Sequence, residues 1–182
     1  MSRFPYFLEK KGIDPARAIR AYASGEFLTF QDIIGGTMGA EEAEALAIEY
    51  QESKYMSYLT AYKDALLMVN ALKHKYDFVA VTAVLNSEAT RTNRQANLDF
   101  WYAGAFSKVH CVGLGGSKYD VLCKYDRTVF IDDSPSHIAE AQAAGHIGIR
   151  LKVDSRPDTG LYPIAKDWYD LSNMIQTILP TG

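Results

Sequence analysis

The sequence predicts an α/β protein in which helices flank a parallel β-sheet. From residue 61 onward, helical segments alternate with short apolar runs, as is typical of a parallel sheet with right-handed crossovers. The apolar runs are continuous, as expected for strands that helices cover on both faces. Residues 1–60 lack this alternation. We therefore expect a helical region over 1–60 and an α/β core over 61–182.

The composition is that of an ordinary globular domain, and it limits the classes of function. The 182 residues are 48% hydrophobic and 23% charged, with a formal net charge of −3 and no basic run. We therefore expect neither a nucleic-acid polymer nor a membrane as a partner. Cys111 and Cys123 have neither metal-ligand spacing nor a secretory signal nearby. No apolar run approaches the ~20 residues that cross a bilayer, so a cytoplasmic location is the expectation.

The first 60 residues predict helices separated by glycines. Apolar residues recur at helical spacing before Gly12, and Asp14-Pro15 is an N-cap followed by a helix-starting proline. A later segment rich in Ala, Glu and Leu predicts a long helix with a solvated acidic face. The predicted helices are Met1 to Lys11, Ala16 to Ala23 and Ala40 to Tyr58, with a short apolar stretch from Phe27 to Ile34.

The core predicts four strands separated by helices. Each strand is a short apolar run, and the helices show apolar residues at helical spacing or a glycine stop. The predicted strands are Phe78 to Thr82, Lys108 to Val112, Thr128 to Asp132 and Ile147 to Leu151. The predicted helices are Tyr62 to Leu72, Asn86 to Tyr102, Ser117 to Tyr125, Ser136 to Ala144 and Trp168 to Leu179. Asp154 to Pro163 is the longest stretch without a predicted element.

Two adjacent carboxylates, Asp132 and Asp133, end the third predicted strand. Like charges a few Å apart repel, so a strand that ends in two acids needs a positive partner. A hard cation such as Mg²⁺ prefers carboxylate oxygens and is the simplest such partner. The alternative is an acidic N-cap before the helix that Ser134-Pro135 opens. That alternative explains one acid but not the second, so we expect a Mg²⁺ site with Asp132 and Asp133 as ligands.

Two further polar residues are expected at the same edge of the sheet. Thr82 ends the first strand, and Lys118 follows the second strand after a glycine turn. Because ligands gather at the carboxyl ends of parallel strands, these four residues would converge and suit a phosphate together with Mg²⁺. Each has a simpler explanation: Thr82 as a β-branched strand residue and Lys118 as a surface lysine at a helix start. The glycine turn fails the Walker pattern, and His137 is expected to face solvent.

The ordered set resembles a known family. The apolar strand that ends in Thr82, the lysine Lys118 at a helix start, and the apolar strand that ends in Asp132 and Asp133 resemble the second, third and fourth motifs of the haloacid dehalogenase-like (HAD) phosphatase superfamily. The similarity covers about residues 61–151 and implies a Rossmann-like HAD core. Residues 1–60 are similar in place and character to the small helical cap of 5'-nucleotidase and deoxyribonucleotidase-like members.

The resemblance implies a role for each residue. Thr82 would bind the transferring phosphoryl group, and Lys118 would stabilise its charge and the nucleophile. Asp132 would hold Mg²⁺, with Asp133 assisting directly or through water. Lys108 and Lys124 are the other candidates for the lysine, and Lys118 is preferred because its place after the glycine turn aims it at the edge of the sheet.

One motif of the family is missing from the sequence. The family's first motif is an apolar strand that ends in Asp-x-Asp and supplies the nucleophile and the general acid/base. No such pattern occurs here; Asp32, after Leu28 to Gln31, is the nearest match and lacks the second acid. In the family this strand lies between those that end here at Thr82 and Asp132. We expect that the sheet closes up, that another segment fills the gap, or that the protein starts further upstream.

Three functions follow as expectations. The first is a Mg²⁺-dependent HAD-type phosphomonoesterase that acts on a nucleotide or another small phosphate ester and whose nucleophile strand is missing from this chain. The second is a catalytically inactive relative that keeps phosphate or Mg²⁺ binding. The third is a structural or interaction role, in which an open sheet edge takes a strand from a partner or from a second copy.

Overall fold

The computed structural model describes residues 3–24, 30–34, 38–154, 156–158 and 161–179. Its first part is helical. The helices are α1 (Phe4–Lys10), α2 (Ala16–Ser24), α3 (Phe30–Ile34) and α4 (Ala40–Glu52), followed by a 3-10 helix (Lys54–Tyr58). Their buried faces share one hydrophobic cluster centred on Phe4, Phe7 and Tyr50. The predicted apolar stretch before α3 lies partly outside the described residues, as does the start of the first predicted helix.

The long helix expected from Ala40 to Tyr58 is wrong in its second half. It breaks at Ser53, whose backbone is extended (ψ 154°). The Ser53 hydroxyl donates a hydrogen bond of 2.6 Å to the carbonyl of Tyr50, so the side chain satisfies an acceptor at the helix end. The chain then tightens into the 3-10 helix. Composition alone did not reveal this break, because the residues on both sides are good helix formers.

The second part alternates helices and strands, as expected. The helices are α5 (Lys63–Leu72), α6 (Glu88–Tyr102), α7 (Tyr119–Leu122), α8 (Pro135–Ala143) and α9 (Trp168–Ile178). The strands are β1 (Phe78–Thr82), β2 (Phe106–Cys111), β3 (Val129–Asp132), β4 (Ile147–Leu151) and β5 (Ile164–Ala165). The two-residue β5 was not predicted, because it is too short to show a strand pattern. Among the described helices, none combines the length and apolar character that crossing a bilayer requires.

Every described strand pair is parallel, but the strands form two sheets instead of one. β1 pairs with β2, and β3, β4 and β5 pair in that order. β1 was expected to be buried on both faces, yet all five of its residues are only half-buried. This expectation is wrong because β1 has a hydrogen-bonded neighbour on one side only.

The helices lie on both sides of the strands. α5 contacts α6 and α9, whereas α7 contacts α8, which packs on β3 and β4. One hydrophobic cluster joins α5 and α9 to both sheets through residues such as Phe78, Val129 and Ile149. Gly148 of β4 faces α8, where a side-chain carbon would come within 2.7 Å of Ile138. The architecture is therefore mixed α/β with short parallel sheets, compatible with a Rossmann-like fold.

Candidate functional site

Lys118 and Asp132 form a buried ion pair at the carboxyl end of β3. Lys118 Nζ lies 2.5 Å from Asp132 Oδ2, and the two side chains are only 6% and 8% exposed. Lys118 Nζ also lies 5.6 Å from the centre of the Phe130 ring. The other two lysines considered, Lys108 and Lys124, are exposed. Because an isolated buried charge is costly, each of the two paired groups depends on the other.

The glycine turn after β2 holds Lys118 in place. Gly113 and Gly115 have φ angles of 93° and 64°, which favour glycine. A side-chain carbon at Gly116 would lie 2.1 Å from the carbonyl oxygen of Val112, so the turn is too tight for any other residue there. The backbone N–H of Lys118 then donates a hydrogen bond of 2.8 Å to Glu140 in α8.

Asp132 has three donors around its carboxylate. Besides Lys118, the backbone N–H of Ser134 donates to Oδ1 at 2.8 Å, and Nδ1 of His137 lies 3.3 Å from the same oxygen. Burial alone would raise the pKa of Asp132. The hydrogen bond of His137, the charge and hydrogen bond of Lys118 and the Ser134 N–H outweigh it and lower the pKa to about 2. Asp132 is therefore a carboxylate throughout the neutral range.

His137 is the first residue that the sequence interpretation placed wrongly. It was expected to face solvent, but its side chain is only 18% exposed and contacts Asp132. His137 lies in the first turn of α8, and that turn starts at the end of β3, so its side chain turns back toward the strand. A histidine in the first helical turn after a strand-terminal acid is a sequence pattern that could have identified it.

Asp133 has a different partner and does not share the position of Asp132. Its carboxylate forms an ion pair with Arg156, and its side chain is 51% exposed. Arg156 also forms an ion pair with Asp154. The adjacent acids are thus neutralised separately: Asp132 by Lys118, and Asp133 by Arg156.

Arg150 was missed by the sequence interpretation and organises the segment after β4. Its side chain is fully buried. Its guanidinium donates to the carbonyls of Asp133 (3.1 Å) and Arg156 (3.0 Å), to Asp154 Oδ1 (3.0 Å) and to Asp158. The hydrogen bonds from Arg156 lower the pKa of Asp154 against the effect of burial, and the charges of Arg156 and Arg150 add to them. The sequence pattern that could have identified Arg150 is an arginine within the apolar run of β4, followed by the acids Asp154 and Asp158.

Thr82 ends β1, which belongs to the other sheet from Asp132. Alternation along β1 places it on the face of Phe78, which packs against the cluster of α5 and α9. Ile131 packs against the same cluster, so the adjacent Asp132 lies on the opposite face of its sheet. Among the described residues, the Thr82 hydroxyl makes no hydrogen bond to Lys118 or Asp132. Lys118 and Asp132 are therefore in contact, and a place for Thr82 in the same site stays a prediction.

The residues in place do not fit Mg²⁺ on their own. Both oxygens of Asp132 already accept hydrogen bonds, and the carboxylate of Asp133 pairs with Arg156. Within the described part of the chain, no group of three His, Cys, Asp or Glu side chains is placed to hold a metal ion. Asp32, the nearest match to the missing motif, lies in helix α3 and not at the end of a strand. A Mg²⁺ site here needs further oxygen ligands.

Comparison with known proteins identifies a similar phage protein. No family model matches the chain. The chain is similar to the uncharacterized 32.4 kDa protein in the Gp30-rIII intergenic region of Enterobacteria phage T4, with 33% identity over 182 residues. The match covers 96% of this chain and 64% of the phage protein, so the chain spans less than two thirds of the length of that relative.

Proposed function

We propose that this chain forms the phosphate-binding part of a HAD-like phosphomonoesterase that acts on a nucleotide or another small phosphate ester. The observation that carries the proposal is the buried Lys118–Asp132 pair at the carboxyl end of β3. Ligands in parallel α/β sheets bind at that end of the strands. A buried ion pair adds little net stability over apolar packing, so its presence at this edge supports a functional use.

Lys118 has the chemistry to bind a phosphate. Its ammonium carries three N–H donors, and in the described residues one of them is used by Asp132. The others are available to phosphate oxygens, whose negative charge the ammonium would offset. Asp132 keeps Lys118 in position. The nearby hydroxyls of Ser134 and Ser136, which lie 2.8 Å apart, add further polar groups at the start of α8.

The nucleophile and the full metal site are not supplied by the described residues. Asp132 and Asp133 each have a cationic partner, so neither is a free carboxylate for attack on phosphorus. Mg²⁺ enters the proposal only together with carboxylates from elsewhere, since it takes one or two carboxylates plus the phosphate and water. The phage relative has residues beyond the matched region. An extended form of this chain is therefore included in the assay below.

Hydrolysis of p-nitrophenyl phosphate and of nucleoside monophosphates with Mg²⁺ tests the proposal. The assay compares this chain, a form extended upstream, and the extended form with Lys118→Met. The expected result is turnover by the extended form and a loss of at least about 100-fold in Lys118→Met, because one ammonium at the transferring group is worth several kcal/mol. Lys124→Met, which removes an exposed lysine, is the matched control. An inert extended form contradicts the enzymatic proposal.

A second candidate function is phosphate binding without catalysis. The observation that favours it is the separate neutralisation of Asp132 and Asp133. In that case the chain binds inorganic phosphate through Lys118, and no form of the protein turns over a phosphate ester. Formation of a stable beryllium fluoride adduct on a carboxylate would overturn this second candidate, because such an adduct mimics an aspartyl phosphate.

A further inference from the structure

Within the described residues, β1 and β3 each pair with a strand on one side only, and we call the other side of each strand its inner edge. The close backbone approach of β1 to β2 and of β3 to β4 has no counterpart between β1 and β3. Both sheets nevertheless pack on one hydrophobic cluster that contains Phe78 of β1 and Val129 of β3. Lys118, soon after β2, contacts Asp132 at the end of β3, so the strands of both sheets end at the same edge. In the described part of the chain, the two inner edges therefore lack a paired strand and border the same hydrophobic cluster.

Burial along the strands identifies this position as incomplete. β4 has a neighbour on each side, and four of its five residues are fully buried. β1 and β3 have one neighbour each among the described strands, and their apolar residues are only half-buried. Apolar side chains without a polar alternation are typical of strands inside a parallel sheet. β1 and β3 thus have the sequences of interior strands and the exposure of edge strands.

The outer edges of the sheets carry protective features that the inner edges lack. On the outer edge, β2 exposes Ser107 and Lys108, and β5 is only two residues long. Charged side chains and short strands are how proteins prevent an edge from pairing with another chain. β1, from Phe78 to Thr82, and the apolar part of β3, from Val129 to Ile131, contain neither charges nor prolines. Only the inner edges are suited to further strand pairing.

We propose that the position between β1 and β3 binds one apolar β-strand from a polypeptide segment outside these 182 residues. The bound strand is parallel to both neighbours and four to five residues long, as they are. It is apolar at successive positions, because α5 and α9 pack against both sheets through one hydrophobic cluster and α8 packs on β3 and β4. Main-chain hydrogen bonds to both neighbours supply the binding, as in other cases of strand addition.

A second folded copy of this chain is a poor occupant. The strand edges that such a copy presents at its periphery, β2 and β5, carry the protective features just described. Its apolar strands β1, β3 and β4 are held between helices and cannot enter another molecule without unfolding. A separate extended segment has no such restriction. Strand binding also does not depend on the phosphate chemistry proposed above, because it uses backbone groups and apolar side chains only.

Two synthetic peptides test the proposal with the intact chain. They copy Thr128–Asp133 and Phe78–Thr82, which have the required apolar runs, and each carries a fluorophore for anisotropy measurements. The matched controls are the same peptides with methylated backbone nitrogens, which keep the side chains and lose the N–H donors. Binding of at least one unmethylated peptide, at least about tenfold tighter than its control, is expected because main-chain hydrogen bonds give the affinity in strand addition. Hydrogen exchange should slow about tenfold in β1 and β3, and not in β2.

Three results would overturn the proposal. The first is that neither peptide binds. The second is equal binding of the methylated and unmethylated forms, which indicates contact through side chains alone. The third is self-association in sedimentation velocity accompanied by protection of β1 and β3 without peptide, which assigns the position to a second copy. A hydrolase assay does not enter these outcomes, so they are distinguishable from a failure of the proposed phosphatase function.

Discussion

Lys118 Nζ lies 2.5 Å from Asp132 Oδ2, and both side chains are more than nine-tenths buried. The two residues come from different segments, one after the glycine turn and one at the end of β3. Taking both charges out of water is costly, and their mutual attraction together with the Ser134 and His137 contacts offsets this cost. The pair therefore affects the stability of the fold and also carries the proposed phosphate site.

Replacement of Lys118 by Met should destabilise the fold. It leaves the carboxylate of Asp132 buried without its cation, and removing one partner of a buried pair costs about 3 kcal/mol or more in the free energy of unfolding. Urea denaturation at neutral pH measures this loss. The double variant Lys118→Met with Asp132→Asn should recover most of it, because no charge is then left buried. The exposed control Lys124→Met should change stability by under about 0.5 kcal/mol. A single variant as stable as the parent chain would contradict the importance of the pair.

The stability of the chain should fall in acid through Asp132. Its pKa is lowered to about 2 in the folded protein, whereas an unfolded Asp titrates near about 3.9. The stabilisation is thus complete above about pH 5 and is lost as the pH falls through 4 toward 2, for roughly 2–3 kcal/mol in total. Between these pH values, the free energy of unfolding should depend less steeply on pH in Asp132→Asn than in the parent chain. The exposed control Asp126→Asn should keep the slope of the parent, and an unchanged slope in Asp132→Asn would refute the assignment.

Gly116→Ala should disturb the turn that positions Lys118. The added carbon would lie 2.1 Å from the Val112 carbonyl oxygen, and backbone at that distance has to move. The expected loss is about 1–3 kcal/mol in the free energy of unfolding, with weaker phosphate binding. Gly115→Ala is the comparison, since it meets no neighbouring atom and is strained only by its φ of 64°, a cost of about 1 kcal/mol. Equal effects of the two substitutions would argue against a tight turn at Gly116.

Replacement of Arg150 should release the segment after β4. Arg150→Met removes the donors that bind the carbonyls around Arg156 and the carboxylate of Asp154, at a cost of about 3 kcal/mol. Arg150→Lys should fail to restore it, because an ammonium cannot reproduce the planar fork of a guanidinium. Hydrogen exchange and limited proteolysis around Arg156 measure the release. The exposed Lys166→Met is the control. A segment that stays protected in Arg150→Met would contradict the role of Arg150.

The strands were the most predictable part of the fold. β1 and β4 match the predicted residues, and β2 and β3 differ by one or two residues at their ends. Short apolar runs bounded by turns and helices are local patterns, and the parallel pairing follows from the helices between them. The break of α4 at Ser53 was not predictable, because a single side-chain hydrogen bond decides it.

The site was predictable where the chain order alone brings residues together. Lys118 and Asp132 were predicted from their positions after neighbouring segments, and they are in contact. The partner of Asp133 was not, because Arg156 lies in an irregular segment whose path depends on the buried Arg150. Such long-range pairing leaves no periodic pattern in the sequence. The division of the described strands into two sheets was not predicted either, because the missing first motif left the arrangement of β1 and β3 open.

The central claim is that Lys118, held by Asp132, binds phosphate at the carboxyl end of β3. An NMR titration of the intact chain with inorganic phosphate, following the Lys118 ammonium and the backbone N–H groups of Ser134, Ser136 and His137, tests it most directly. We predict saturable shifts at these groups in the parent chain and in Lys124→Met, and no shift of the three backbone N–H groups in Lys118→Met. Unchanged resonances of Lys118 at saturating phosphate, in a chain that is fully folded, would contradict the claim.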